Sequence, residues 1–264
     1  MKWLSILIML SLLTMGCDVD QGLEPTQSGF SGTVHFSAPW PEETDQVLVV
    51  ASKVFPPSSL EDLVLGEPLP LNVDSVQYTL YTNPLDFAAV GVVWKQKNQP
   101  WDVTNIIGIY FSGNDKFSPS PVVIPDRQAM ITDIDINADL SRAKFAVSSA
   151  IKGTISTEGQ WPETAQSVLI IASKNILPTG LLDIQFSPPI EPGFESTEYT
   201  FTVQPGTYRL IAMLLLEENV PLGVESIKGF YRSNPASPFP GSVTVASDSS
   251  VVDNIDMILD FSEL

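Results

Sequence analysis

Val47-Leu48-Val49-Val50-Ala51-Ser52-Lys53 is a continuous apolar run that ends in a serine and a lysine, and it occurs twice. Its second form, Val168-Leu169-Ile170-Ile171-Ala172-Ser173-Lys174, lies 121 positions further along the chain. An apolar run of this length and β-branched character is typical of a buried strand. The two copies therefore predict two β-rich units built around the same central strand.

The offset of 121 positions extends, without a gap, over most of the chain. It relates these segments of the first copy to identical or similar segments of the second: Gly32-Thr33, Trp40-Pro41-Glu42, Tyr78-Thr79, Gly108, Pro119 and Ile134-Asp135. The period is too long for a solenoid repeat and suits a whole domain. The predicted organisation is a lipoprotein signal peptide (1–16), a lipidated flexible tether (17–29), repeat 1 (30–142), a short linker (143–150) and repeat 2 (151–264).

Each repeat is predicted to be all-β, with seven short strands separated by Pro, Gly and Asn. In repeat 1 the predicted strands are 34–36, 47–54, 78–81, 87–94, 106–111, 121–124 and 130–137. This spacing predicts two tandem seven-stranded Greek-key β-sandwich domains. One helix is predicted over Ser58–Leu65, where Ser58 and Glu61 have the spacing of a capping box; its counterpart near 180–184 lacks that box.

A family resemblance rests on the segment Tyr199-Thr200-Phe201-Thr202-Val203-Gln204-Pro205-Gly206-Thr207-Tyr208-Arg209-Leu210. Its Pro-Gly-Thr-Tyr turn, with a Gly-Thr-Ile strand upstream, resembles carboxypeptidase-regulatory-like, or transthyretin-like, sandwich domains, which are related in shape to immunoglobulin-like ones. Repeat 1 departs from the pattern with Pro84-Leu85-Asp86-Phe87. The resemblance implies a structural or binding module without catalytic residues, and no functional residue carries over.

The N-terminal segment predicts a lipid anchor. Lys2 precedes an apolar run, Leu4–Leu13, that has the length of a signal-peptide core and is too short to span a bilayer. Leu13-Thr14-Met15-Gly16-Cys17 resembles the bacterial lipobox, and Cys17 is the single cysteine of the chain. We therefore expect Cys17 to be acylated and the protein to sit in the bacterial cell envelope, at the outer membrane, with the leaflet left open; an ordinary secretory signal is the alternative.

Composition excludes several classes of function. The chain has 31 acidic and 13 basic residues, a formal charge of −18, which disfavours nucleic acid as a partner. With one Cys and one His, it cannot build a metal site from those ligands. His35, the single histidine, is expected on a strand surface, and no nucleophile, phosphate or dinucleotide motif occurs. We therefore expect no enzyme; a hydrolase based on two carboxylates is the remote alternative.

Two clusters remain as candidate sites. Asp133, Asp135 and Asp139 lie on one side of the last predicted strand and just after it, and could contribute to a calcium site; the alternative is a solvated strand face. Trp94 and Trp101 have no aromatic counterpart in repeat 2 and flank a polar loop. They could stack on sugars; alternatively, Trp94 belongs to the core and Trp101 covers the interface between the copies.

Together these features predict a membrane-anchored envelope lipoprotein that acts as a non-catalytic protein-binding or assembly module. Its expected partner is another envelope protein, bound through sandwich edges or Pro-rich loops. The alternative is a surface glycan-binding lipoprotein that uses Trp94 and Trp101. No cofactor is expected, apart from the calcium considered for the aspartates.

The anchor is directly testable. The Cys17→Ser variant lacks the thiol that would carry the acyl chains. We therefore expect it to incorporate no radiolabelled palmitate and to keep its signal peptide. The unchanged protein should stay in the membrane pellet after a high-salt wash, because two or more acyl chains hold it firmly. Release of the unchanged protein by salt would contradict lipidation.

Overall fold

The computed structural model describes residues 28–57, 59–218, 220 and 222–261. The predicted signal peptide, Cys17 and nearly all of the predicted tether lie outside this part of the chain. The described residues are all-β, as predicted, and their helical turns are single 3-10 turns at Leu60–Asp62, Leu140–Arg142, Leu181–Asp183 and Val224–Ser226. None of the described helices is long and apolar enough to cross a membrane.

The strands fall into two sets with the same order. The first set is β1 (Gly29–Ser37), β2 (Thr44–Ser52), β3 (Leu63–Pro68), β4 (Ser75–Tyr81), β5 (Asp86–Phe87), β6 (Ala89–Gln96), β7 (Ile106–Ile109), β8 (Val122–Val123), β9 (Met130–Ile131) and β10 (Ile136–Asp139). The second set is β11 (Ala150–Glu158), β12 (Ala165–Ser173), β13 (Gln185–Phe186), β14 (Ser196–Thr202), β15 (Gly206–Tyr208), β16 (Leu210–Glu217), β17 (Ile227–Phe230), β18 (Val243–Val245), β19 (Val251–Val252) and β20 (Met257–Asp260). We call the two sets the first and second units.

Two sheets face each other in each unit, which confirms the predicted sandwich. In the first unit one sheet has the order β3-β2-β6-β7, and the other has β10-β1-β4 with β9 also paired to β1. The second unit repeats this with β13-β12-β16-β17 and β14-β11 joined by β19 and β20. A short pair, β5 with β8 or β15 with β18, completes each unit.

The apolar run of β2 is buried on both sides, which explains its lack of alternation. Val47, Val49 and Ala51 point into the main core of the first unit. Leu48 and Val50 point the other way and form a second cluster with Val93, covered by Trp101 and Ile106. The side chains of the equivalent strand β12 alternate in the same manner between the two apolar clusters of the second unit.

The first and last strands of each unit pair in parallel at a tight crossing. In the first unit, a Cβ on Gly32 would lie 2.2 Å from the Ile134 carbonyl oxygen, so only glycine fits there. The Ile134 carbonyl accepts a 2.6 Å hydrogen bond from the Tyr78 hydroxyl, and the Asp135 carboxylate accepts one of 2.7 Å from the Thr33 amide. Burial, followed by the charge of Asp135, raises the pKa of Tyr78, which therefore stays a protonated donor.

The second unit builds the same crossing from the matching residues. A Cβ on Gly153 would lie 2.2 Å from the Ile255 carbonyl oxygen, which accepts a 2.6 Å hydrogen bond from the Tyr199 hydroxyl. The Asp256 carboxylate accepts from the Thr154 amide at 2.8 Å. Gly-Thr, Tyr and Ile-Asp thus recur in the sequence because both units contain the same strand crossing.

The predicted helix over Ser58–Leu65 was wrong. Ser58 lies outside the described residues. Among the others, Leu60–Asp62 forms a 3-10 turn that is capped by Ser59 and Asp62. The following residues form β3, which pairs with β2 and has no counterpart among the seven predicted strands. The apolar residues of this segment pair with β2 in the sheet, and the free energy of that pairing outweighs the local preference for a helix.

The predicted last strand, 130–137, is broken in two. Asp133 has a φ of 64° and breaks the strand between β9 and β10. Asn254, with a φ of 63°, does the same between β19 and β20. Both strand fragments pair with β1 in parallel, but the residues between them bulge away to pass over Gly32. The expected alternation therefore fails at Met130, which is exposed, while Ile134 and Ile136 are buried.

The crossing predicts a matched pair of stability effects. Tyr78→Phe and Tyr199→Phe each remove one buried hydrogen bond, so we expect each to lower the free energy of unfolding by about 1–2 kcal/mol. Urea unfolding followed by circular dichroism measures this. Tyr81→Phe is the control, because Tyr81 is 66% exposed, and it should leave unfolding unchanged. Equal curves for all three variants would contradict the importance of the crossing.

Candidate functional site

The segment between the units is held against the first unit by paired hydrogen bonds. The Lys144 amide donates to Asn105 Oδ1 at 2.9 Å, and Asn105 Nδ2 donates back to the Lys144 carbonyl at 2.8 Å. Nearby, the Ala146 amide donates to Gln96 Oε1 at 2.7 Å. Asn105 is 4% exposed, so its side-chain amide is buried, and both its nitrogen and its oxygen are hydrogen-bonded in this contact.

An aromatic contact continues the attachment. Phe145 packs edge-on against Trp94, with ring centroids 5.3 Å apart. The Phe145 carbonyl then accepts a 2.7 Å hydrogen bond from Gln204 Nε2 of the second unit. The linker therefore touches both units and is not a free tether.

A second bridge runs from a loop of the first unit to a 3-10 turn of the second. The Leu181 amide donates to the Lys116 carbonyl at 2.9 Å. Arg142 donates to the Leu182 carbonyl and pairs with the Asp183 carboxylate at 3.2 Å. Gly180 makes this approach possible, because a Cβ there would lie 2.7 Å from the Lys116 Cβ.

These contacts leave a cleft of about 900 Å³ between the units, which we call the inter-unit cleft. Its volume lies within the range of small-molecule sites. Residues that line it include Trp101, Asp102, Thr104, Ile106, Arg142 and Lys144 on one side and Leu169, Lys174, Asp183, Phe186, Gln204 and Leu216 on the other. The walls combine the outer apolar clusters of both units with a few charged groups.

Lys144 is the unusual charged group of the cleft. Its ammonium donates to the Thr104 carbonyl at 2.6 Å, and among the described residues it makes no ion pair within 4.0 Å. Burial lowers the pKa of Lys144, and the more distant charge of Asp102 opposes that shift only in part. A half-buried cation without a close counter-ion is a group that an anionic ligand could stabilise.

The structure separates the two predicted tryptophans. Trp94 is fully buried, and its indole N–H donates to Thr44 Oγ1 at 2.9 Å. It has no surface to offer a sugar, so the hypothesis that it contacts glycans was wrong. Trp101 is partly exposed, lines the inter-unit cleft and packs over Leu48, Val50 and Val93.

The three predicted aspartates do not come together. Asp135 accepts from Thr33 in the strand crossing, and Asp133 accepts from the Thr132 hydroxyl at 2.9 Å. Asp139 caps the 3-10 turn after β10 and pairs with Arg142 at 3.3 Å. Within the described part of the chain, no three His, Cys, Asp or Glu side chains are placed to hold a metal ion. The calcium hypothesis therefore gains no support from these positions.

His35 and the tryptophans of the two Trp-Pro-Glu segments take part in no candidate site. His35 lies exposed in β1. Trp40 and Trp161 each pack against the core of their own unit, and each donates its indole N–H to a backbone carbonyl at 3.1 Å.

Sequence reasoning missed the residues that join the units, namely Asn105, Arg142 and Gly180. At the 121-residue offset the other copy has Ser226, Glu263 and Ser59 at these positions. Most positions of the repeat differ in this way, so these differences do not single out the joint, and nothing in the sequence shows that the three residues lie at one interface.

No protein-family model matches the chain, and no curated protein matches it. Several solved structures are distantly similar. A candidate adhesin from Bacteroides ovatus is 11% identical, with 91% of this chain and 98% of that chain covered and a TM-score of 0.24. A streptococcal ancillary pilin is 9% identical, with coverage of 88% and 69% and a TM-score of 0.22. The shaft pilin SpaA of Lactobacillus rhamnosus is 10% identical, with coverage of 88% and 98% and a TM-score of 0.19.

The bridge at Gly180 can be tested by adding one methyl group. Gly180→Ala places a Cβ against Lys116, so the joint must shift at the cost typical of overpacking, about 1–3 kcal/mol. We expect earlier unfolding in urea and a larger radius of gyration in small-angle X-ray scattering. Gly113→Ala is the control, because a Cβ there meets nothing within 4 Å. Indistinguishable results for the two variants would show that the bridge does not hold the units.

Proposed function

We propose that the protein is a non-catalytic lipoprotein of the bacterial cell envelope that binds an extended segment of another envelope protein along β4. In this proposal Cys17 carries the lipid anchor, and the two sandwich units present β4 at the membrane surface. The observation that supports it is the open edge of β4, whose outward backbone groups have no partner among the described residues.

The hydrogen-bond pattern shows which groups of β4 face outward. Phe36 and Asp74 form a hydrogen-bonded pair at one end of the ladder between β1 and β4, and Ser28 and Thr82 form one at the other. Residues directly opposite each other alternate between bonded and non-bonded pairs, so the even-numbered residues of β4 face β1. The N–H and C=O groups of the odd-numbered residues therefore point to the open edge; these residues are Ser75, Gln77, Thr79 and Tyr81.

The side chains of β4 do not protect this edge. Natural sheets commonly shield an edge strand with Lys, Pro or a bulge. β4 has no charged residue and no proline, and its register with β1 is continuous over seven pairs. β3, the edge of the other sheet, ends in Pro68 and is bulged opposite β2. The contrast favours β4 as a surface that receives a strand, a recognised mode of peptide binding.

The equivalent edge in the second unit is less suitable. β14 occupies the same terminal place in its sheet, but it carries Glu198 at one of its outward-facing positions. A carboxylate at the edge of a chain with a charge of −18 disfavours a further acidic partner. The two units therefore need not bind the same partner.

One observation favours a glycan-binding role: the Trp101 ring is partly exposed in the inter-unit cleft. Affinity electrophoresis with envelope polysaccharides and Trp101→Ala separates this alternative from strand addition. Retention that disappears in the variant would support a glycan. Without such retention, protein binding at β4 is left as the function to be tested.

The decisive experiment changes one backbone donor. Thr79→Pro removes an outward N–H of β4 without removing a bond to β1, so we expect loss of the partner in pull-downs from native membranes. Thr79→Val keeps the N–H and should retain the partner. Thr200→Pro makes the same change in β14 and should also retain it. Melting curves measured for all three variants show whether the fold is intact.

Capture of the same partner by folded Thr79→Pro and by the unchanged protein would overturn the proposal. Loss of the partner in Thr200→Pro alone would instead move the binding edge to the second unit, and β4 would then have no role in binding.

A further inference from the structure

We propose that the inter-unit cleft binds an organic anion that joins a carboxylate to a flat apolar body. This site is separate from the β4 edge and extends beyond the proposed strand addition. The inference rests on the shape of the cleft, the apolar rings on its two walls and the cationic groups that line it without a carboxylate partner.

The apolar part of the site comes from both units. Trp101 and Ile106 extend from the outer cluster of the first unit. Phe186 and Leu216 extend from the corresponding cluster of the second unit. Both pairs line the same cleft of about 900 Å³. A ring system inserted between these walls would be removed from water on two sides, which is the main source of affinity in such pockets.

The anionic part of the ligand is argued from Lys144 and Lys174. Both line the cleft, and among the described residues neither makes an ion pair within 4.0 Å. Arg142, by contrast, is already paired with Asp139 and Asp183. A ligand carboxylate at hydrogen-bond distance from Lys144 would supply a closer counter-charge than Asp102, which acts on Lys144 from beyond 4.0 Å.

The carboxylates that line the cleft are engaged by other groups. The Asp102 carboxylate accepts from the amide and the hydroxyl of Thr104 at 2.8 and 2.7 Å. Asp139 and Asp183 both pair with Arg142, and Asp183 also accepts from Thr179. Among the described residues, Lys144 and Lys174 are therefore the cations of the cleft that make no ion pair within 4.0 Å.

The repeat offers a built-in comparison. Lys53 is the counterpart of Lys174, is exposed, and does not line the cleft. A lysine that matters only for surface charge should behave alike at both positions. One that binds the ligand should matter at position 174 alone.

Naphthalene-2-carboxylate and its neutral analogue naphthalene-2-carboxamide are suitable probes. They are titrated by calorimetry into the anchored, full-length protein in detergent micelles, with the heat of empty micelles subtracted. We expect the carboxylate to bind about tenfold or more tightly than the carboxamide, as hydrogen bonds to charged groups require. Lys144→Met should abolish that preference, Lys144→Arg should restore most of it, and Lys174→Met should reduce it.

Two control variants distinguish the cleft from the rest of the surface. Lys53→Met and Thr79→Pro should both bind the carboxylate like the unchanged protein, since neither residue lines the cleft. Equal affinity for the two probes, absence of binding heat, or an undiminished preference in folded Lys144→Met and Lys174→Met would each overturn the proposal. If Lys144→Met does not fold, Lys174→Met alone supports or overturns it, because the Lys174 side chain is exposed and its loss should not disturb the fold.

Discussion

The hydrogen bond from the Tyr78 hydroxyl of β4 to the Ile134 carbonyl holds the end of the first unit across β1. It lies where the last strand passes over Gly32, at a distance that excludes any side chain there. The crossing keeps β1 between β4 and the last strands, so both sides of β1 are paired. The edge of the sheet therefore falls at β4, and the outward groups of that strand follow from a contact on the far side of β1.

The relation between the units depends on places where the repeat is broken. Gly180 lacks a Cβ that Ser59 has in the other copy, and Arg142 supplies a cation where the other copy has Glu263. The two units therefore contribute different residues to the joint and to the two sides of the inter-unit cleft.

The prediction for His35 succeeded because it depends on strand position alone: His35 is exposed in β1, next to the buried Val34. Asp135 illustrates the opposite case. Its spacing from Asp133 looked like a row of oxygen ligands, yet its carboxylate binds the amide of Thr33, about a hundred residues earlier in the chain. A row of carboxylates in sequence says nothing about which backbone donors lie opposite.

The amino-acid sequence alone is enough to establish that the protein is all-β, that its units are duplicated and that their central strands are buried. Those properties follow from the hydrophobic pattern and from the internal repeat, and both can be recognised in the order of the residues alone. The folded chain was needed to show that β3 replaces a predicted helix, that Trp94 lies under the linker, and that Lys144 faces a cleft. Each of these outcomes depends on contacts between residues distant in the chain, whose free energy outweighs local preference.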